Sequence, residues 1–264
     1  MNDELKFTVI SDTHYYSKKN FVDGFDKNKK PKPGQLFFSR SEEIVENTFD
    51  CLCKNDTPDI VLISGDLTYN GERTSHDEMK AALKKLQQKG KRVYVITATH
   101  DYTTPRMPTY GIDKNDKYIE VESVKRTQLL KYYGDFGYNN AIAKHKSTMS
   151  YVAQLADGYR LFALNDDYGD PDCGFSDELM NWVKTEANNA KRDGQYIIAM
   201  THHPLVPPSP IYTAVAKGDM LNDYELRRKQ LSDLGFDFVL TGHTHMHNIS
   251  YCKIGNKKFY DIST

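Results

Sequence analysis

The sequence predicts a layered α/β fold organised as one domain over residues 1–264. Three observations predict it. Short apolar runs rich in β-branched residues recur along the chain. Stretches with apolar residues at helical spacing fall between them. The residues able to do chemistry gather directly after the apolar runs, where open α/β sheets form their ligand sites.

Taken in order, Leu5–Ile10 reads as the first strand. Ser39–Lys54 reads as a helix, with Ile44, Val45, Phe49 and Leu52 at helical spacing after Ser39 or Ser41 as N-cap. Asp59–Ser64 is a buried strand. Thr74–Gln88 is a helix with Met79, Leu83 and Leu86 on one side, closed by Gly90. Val93–Thr97 is the next strand. Residues 102–150 are less regular, with one helix over Ser123–Tyr133. This stretch and the segment up to residue 38 that begins at Tyr15 read as insertions laid over the ends of the core. Tyr151–Leu155 and Arg160–Leu164 form a hairpin through Asp157–Gly158. Ser176–Arg192 is a helix whose opening SDEL places acids at the positive end of the helix dipole. Tyr196–Met200 is a strand and Met220–Leu234 a helix. Phe238–Leu240, Asn248–Lys253 and Lys258–Ile262 complete the strands.

Composition excludes several function classes. Hydrophobic residues at 39% and charged residues at 27% are those of an ordinary soluble globular chain. A net charge of −1 gives no electrostatic footprint for nucleic acid or an anionic membrane. Cys51, Cys53, Cys173 and Cys252 fit neither a zinc pattern nor a disulfide framework, and read as core or incidental thiols of a reducing compartment. The opening MNDELKFTVISD has no apolar stretch of signal length. No run approaches the roughly 20 apolar residues of a membrane helix. The default expectation is a cytoplasmic protein. At the other end KKFYDIST stops inside or just after a strand, so a chain that ends on that edge and one shortened from a longer natural chain are both expectations.

Seven of the nine histidines fall immediately after predicted strands; His76 and His145 do not. The strand ends read SDTH (Asp12, His14), SGDLTYNG (Asp66, Asn70), ATHD (His100, Asp101), THHP (His202, His203) and TGHTHMH (His243, His245, His247). In an extended segment positions i and i+2 point the same way, so Asp12 with His14, and His243 with His245, can each aim at one point. A mixed carboxylate–imidazole set suits Mn, Fe, Zn or Co better than Ca or Mg. One carboxylate, Asp66, is placed to bridge two ions. Any single Asp-x-His is weak, and an adjacent His–His pair often holds only one functional ring. The joint occurrence at five strand ends carries the reading.

The string DTH, GDLTYNG, THD, THHP, GHTH resembles the calcineurin-like metallophosphoesterase superfamily, and within it the bacterial branch of cyclic-nucleotide phosphodiesterase-like proteins. The resemblance runs from about residue 6 to the end. It implies an α/β chain of the α+β type: a four-layer sandwich of two mixed β-sheets flanked by helices. It implies two metal ions, Mn, Fe or Zn, at the strand ends. Asp12, His14, Asp66 and His245 would hold the first; Asp66, His202 and His243 the second. His100 would sit outside the metals near the departing oxygen, with Asp101 fixing its ring. The third motif departs from the family's Gly-Asn-His-Asp/Glu: this chain reads Ala98-Thr99-His100-Asp101. The missing asparagine is normally a ligand of the second metal. Thr99 is a doubtful replacement, so the second site is expected to be weak or empty, with Asn70 a candidate for partial compensation. Tyr69 is a second departure, expected to shape the pocket.

The expected reaction is phosphoester hydrolysis, of a phosphodiester or a nucleotide, by attack of a metal-bound hydroxide. His100 would serve the departing oxygen. The expected partner is a small phosphoester, with no nucleic acid and no membrane. Phosphomonoester hydrolysis, and a non-catalytic scaffold with a weakened second metal site, are the alternatives. His203 is expected beside the metals, against substrate or in packing, and His247 at an exposed rim. Tyr15, Tyr16, Phe37, Phe38, Tyr102, Tyr110, Tyr118 and Tyr212 could stack a base, but read first as cover for the core rim. Lys18, Lys19, Lys27, Lys29 and Lys30 could attract phosphate, but read first as a solvated charge run.

Overall fold

A computed structural model describes residues 4–22, 38–54, 56–115, 117–167 and 173–264. In chain order its elements are β1 (Phe7–Ile10), α1 (Ser41–Leu52), β2 (Ile60–Ser64), α2 (Arg73–Gln88), β3 (Arg92–Ile96), β4 (Gly111–Ile112), β5 (Tyr118–Ile119), α3 (Leu129–Tyr133), β6 (Ala143–His145), β7 (Ser150–Ala156), β8 (Tyr159–Ala163), α4 (Asp177–Arg192), β9 (Tyr196–Met200), α5 (Tyr212–Val215), α6 (Tyr224–Leu234), β10 (Phe238–Thr241), β11 (Asn248–Ile254) and β12 (Lys257–Ser263). Expectations resting on Lys27, Lys29, Lys30, Phe37 and the Phe38 side chain lie outside the described residues.

Period-two burial sorts the strands into layers. In β9, Ile198 and Met200 join one apolar cluster while Ile197 and Ala199 join another. In β8, Leu161 and Ala163 divide from Phe162 in the same way, and Leu164 just beyond the strand joins Phe162. The first cluster fills the space between a parallel sheet of order β1-β2-β3 and a mixed sheet of order β11-β12-β10-β9-β8-β7-β6. It continues through the smaller sheet to α1 and α2, where Val45, Phe49, Met79, Leu83 and Leu86 are buried. The second cluster packs the far face of the larger sheet against α4 and α6 through Leu179, Val183, Ala187 and Leu231. The result is helix, sheet, sheet, helix: the four layers expected.

Local chemistry explains the element ends. Ser176 Oγ accepts from Leu179 N at 3.1 Å and caps α4, with Asp177 and Glu178 in its first turn and Lys191 and Arg192 in its last. Gly90, in left-handed backbone at φ 90°, follows the end of α2. Asp157–Gly158 turns β7 into β8 as expected.

Tertiary hydrogen bonds shorten two expected helices. Only Leu129–Tyr133 is α-helical in the expected span 123–133, after a tight turn over Arg126–Gln128. Upstream, Val124 N donates to the Gly71 carbonyl (2.8 Å) and Arg73 N to the Glu122 carbonyl (2.9 Å), holding that backbone extended. The helix expected from Met220 begins at Tyr224, because Leu221 N and Asn222 N donate to the Pro204 and Cys173 carbonyls. Ile44 is 50% exposed rather than buried, at the edge of the face that Val45, Phe49 and Leu52 turn inward. No helix among the described residues is long and apolar enough to cross a membrane.

Leu83, fully buried between α2 and the parallel sheet, tests the layer arrangement. Leu83→Ala is expected to lower unfolding free energy by about 2–5 kcal/mol, read as a lower urea midpoint at an unchanged slope.

Candidate metal centre

The loops after six strands meet at one end of the sandwich. His202 Nδ1 donates to the Ser64 carbonyl at 2.8 Å, joining the ends of β9 and β2. His243 N donates to Asp12 Oδ2 at 2.9 Å, joining β10 and β1. Thr97 N donates to Asn165 Oδ1 at 3.0 Å, joining β3 and β8. Asp12 N and His14 N donate to the Gly65 and Asp66 carbonyls, which zips the first two loops together.

Convergence does not come from strand alternation, as the i/i+2 expectation supposed. Asp12, His14, Asp66, His243 and His245 all have left-handed backbone, with φ between 38° and 68°. Asp and His tolerate this region better than most residues. Each such residue still costs of order 1–3 kcal/mol, and such strain clusters at functional sites. Two glycines make room for the turns. A Cβ on Gly65, itself at φ 98°, would lie 2.8 Å from His202 Nδ1, and one on Gly242 would lie 2.5 Å from Asp12 Oδ2.

Asp12, His14, Asp66, His202, His243 and His245 are therefore brought together. Asp12 Oδ1 lies 3.8, 3.9 and 3.4 Å from the Nε2 atoms of His14, His202 and His245. Asp66 Oδ2 lies 3.7 Å from His14 Nε2 and 3.1 Å from His202 Nε2. His14 and His245 approach Nε2 to Nε2 at 3.1 Å. Three groups could each hold a metal ion, their ligand atoms within 4.8 Å of one another: Asp12, His14 and His245; Asp66, His202 and His243; His14, Asp66 and His100.

These residues fit a cation. Asp12 Oδ1 and His202 Nε2 are buried without a hydrogen-bond partner. The Ser64 carbonyl takes the proton of His202 Nδ1, so in the neutral ring the Nε2 lone pair faces a carboxylate oxygen at 3.1 Å. That contact is repulsive unless a proton or a metal lies between. Two ligand bonds of about 2.1 Å at a tetrahedral angle end about 3.4 Å apart, close to the separations here.

The electrostatics follow. Burial pushes the Asp12 carboxyl up, but the neighbouring His14 and His245 outweigh it and hold the group below its ordinary range. Burial likewise opposes ionisation of Asp66, and the charge of His202 reverses the balance. His202 is raised in return: burial works against its charge and Asp66 prevails. Burial, then the neighbouring His203 and His202, lower His243 to about 3, which keeps it a neutral ring suited to metal ligation.

Asp101 does not hold the His100 ring. Its oxygens accept from Thr68 N (2.9 Å) and Ala98 N (2.9 Å), which folds the THD turn. Burial and the charge of Asp66 raise its carboxyl well above the ordinary range. The His100 ring is set instead by Nδ1–H, directed at the Tyr69 carbonyl (2.6 Å) and Asn70 Oδ1 (2.8 Å). Asn70 is thereby committed to positioning His100 rather than compensating for the missing asparagine. The Tyr69 ring lies 6.5 Å from those of His14 and His100, and its hydroxyl accepts from Tyr110 Oη. His247 is exposed. His76 and His145 are buried away from the cluster, bonded to Tyr133 and Thr148. Lys18 and Lys19 pair with Glu42 and Glu78. Tyr15, Tyr16 and Tyr102 are buried.

Sequence reasoning missed the acids after β8. Asp166 accepts from Thr201 Oγ1, His202 N, His203 N and His203 Nδ1 at 2.7–3.1 Å, and so fixes the THHP loop. This assigns His203, whose ring packs on His243 at 4.1 Å, to support of its neighbours. Asp261 accepts from Leu205 N and Val206 N on the same loop. The signal was present: Asn165-Asp166-Asp167 follows a predicted strand just as the histidine motifs do.

One cavity touches the cluster and a second is lined by residues next to it in sequence. One of about 460 Å³ lies beside Asp12, His14 and His245 and is walled by Ile44 and Phe49. One of about 320 Å³ is bordered by Thr99 and Asp167.

An α/β sandwich that gathers carboxylates and imidazoles at its strand ends defines a metallohydrolase. The chain belongs to the calcineurin-like phosphoesterase family, whose profile matches residues 5–247, and is a metallophosphoesterase. No curated protein sequence matches it. A dimetal phosphatase from Danio rerio is similar in structure, with a TM-score of 0.63 at 12% identity over 97% of this chain and 86% of that one. A phosphopantetheinyl hydrolase from Mycobacterium tuberculosis aligns with a TM-score of 0.44 at 12% identity over 98% of this chain and 89% of that one.

The Asp166–His203 pair makes stability depend on pH. Burial lowers the His203 ring, but Asp166 outweighs it and raises the ring to about 10 from 6.5. A raised folded-state value favours the protonated ring, so this stabilisation is complete below about 6.5 and is lost as pH rises through about 10. Urea unfolding at pH 6 and 10.5 is expected to show a larger loss in the native protein than in Asp166→Asn. Equal losses would contradict the assignment.

Proposed function

We propose that this metallophosphoesterase hydrolyses small phosphodiesters, nucleotides among them, using two transition-metal ions of the Mn, Fe or Zn type. The observation that carries the reading is Asp66 Oδ2, placed between His14 and His202 and so shared by two ligand groups. Asp12, His14, Asp66 and His245 would hold one ion, and Asp66, His202 and His243 the other. When bound, the ions supply Lewis acidity that neutralises phosphoryl charge and lowers the pKa of water. The diester reading draws on two cavities, one beside Asp12, His14 and His245 and one bordered by Thr99 and Asp167, each with room for one organic arm of the phosphorus.

The chain's own residues position the rest. With Nδ1–H used by Tyr69 and Asn70, Nε2 is the His100 nitrogen available to substrate. Burial first, against the pull of Asp66, lowers the pKa of the ring, so it is neutral before substrate arrives. An anionic phosphoryl group beside the ring favours its protonated form, which then donates to the departing oxygen. Asp66 Oδ1 accepts from His100 N at 2.9 Å and ties the acid to the ligand cluster.

Bis-p-nitrophenyl phosphate is expected to be hydrolysed with added Mn²⁺ at a higher kcat/KM than p-nitrophenyl phosphate. Chelation should abolish turnover and lower Tm, since a cation bound only by the folded state stabilises it. A strong monoester preference, or turnover indifferent to chelation, sinks the reading. His100→Ala is expected to slow a diester with an alkoxide leaving group by about 10²–10⁴-fold, and one releasing p-nitrophenolate much less. Equal losses would remove His100 from the leaving-group step.

A further inference from the structure

We propose that the cavity beside Thr99 is a subsite for a vicinal diol carried by the phosphoester, held by the two oxygens of Asp167. The subsite rests on the phosphoester reading above and names the organic group that reading leaves open.

Asp167 is 1% exposed, and neither of its oxygens has a hydrogen-bond partner among the described residues. The adjacent Asp166 has four donors. A buried carboxylate without donors is costly, and it persists where a ligand supplies them. Burial, then the charge of Asp166, push the Asp167 carboxyl up to about 7.

Asp167 borders a cavity of about 320 Å³ with Thr99, Tyr102, Arg106, Met107 and Arg126. Two neighbouring hydroxyls on one carbon chain present two O–H donors to two carboxylate oxygens, a bidentate match. An ammonium or guanidinium ligand would also donate, but it would share the cavity with two arginines, and the Arg126 charge already acts on Asp167. Neutral donors avoid that repulsion. The Tyr102 ring, with the Arg126 guanidinium 4.8 Å from its centroid, and the Met107 side chain offer an apolar wall for the carbon face of such a group. Thr99 directly precedes His100, Asp166 accepts from His202 N and His203 N, and the charges of His202 and His203 act on Asp167, so the cavity adjoins the ligand cluster.

The test compares 2,3-dihydroxypropyl p-nitrophenyl phosphate with propyl p-nitrophenyl phosphate in the Mn²⁺-loaded enzyme. The native protein should prefer the diol ester by about tenfold in kcat/KM, the discrimination given by hydrogen bonds to one charged group. Asp167→Asn should bring the ratio near one, and so should Thr99→Leu, which fills part of the cavity. A native ratio within twofold of one, or a preference that survives both substitutions, overturns the proposal. Calorimetric titration with glycerol 3-phosphate and with propyl phosphate keeps the subsite separate from the chemistry. A binding preference lost in Asp167→Asn, in a protein that cleaves neither ester, supports the subsite while removing the catalytic reading. Turnover without any diol preference does the reverse.

Discussion

Two buried carboxylates impose the constraint on which the site depends. Asp12 and Asp66 each use one oxygen to accept a backbone amide from another loop, His243 N and His100 N respectively. Each leaves its other oxygen facing imidazole nitrogens at the centre. Buried charge is tolerated only when it is paired. The pairing here requires loops from both sheets to arrive at one level, so the six parallel strands must end together. The left-handed turns at Asp12, His14, Asp66, His243 and His245 are the local form of that requirement. They re-aim side chains that strand alternation would have pointed elsewhere. Gly65 and Gly242 serve the same end, since any side chain there would strike a cluster residue.

Much of the architecture was legible because it rests on period and caps. Tyr196–Met200 was read to the residue, and α4 was read from Ser176 and the acids behind it. What failed depended on partners distant in sequence. Nothing near Val124 announces that its amide belongs to Gly71, and nothing near Asn222 announces Cys173. The six residues of the cluster were legible as types and positions. Their convergence was argued from strand geometry and is achieved by strained turns, so a correct outcome rested on an incomplete cause. Asp166 and Asp167 lie outside the histidine motifs, although their place after β8 meets the same criterion.

The acids show how little residue type alone determines. Asp66 and Asp166 are held ionised by imidazoles that outweigh burial. Asp101 and Asp167 are pushed the other way, because burial and a neighbouring carboxylate act together. The donors separate the two raised acids. Asp101 accepts two backbone amides and folds a turn, whereas Asp167 accepts nothing among the described residues. Residue type and a place after a strand do not distinguish them. The hydrogen-bond partners can, and they move Asp101 from the service of His100 to that of the backbone.

Thr99 then takes on a different meaning. The turn that carries it is shaped by Asp101 bonding to Thr68 N and Ala98 N. The His100 ring is set by Tyr69 and Asn70, and its amide by Asp66. None of these contacts passes through the Thr99 side chain. A change of side chain at Thr99 therefore alters the wall of a cavity while leaving His100 where it stands. The Asp66, His202 and His243 group keeps its three protein donors without it. Turn shape and side-chain identity are separable at this position, so a phosphoesterase framework can change what it admits beside the phosphorus without rebuilding the machinery that acts on it.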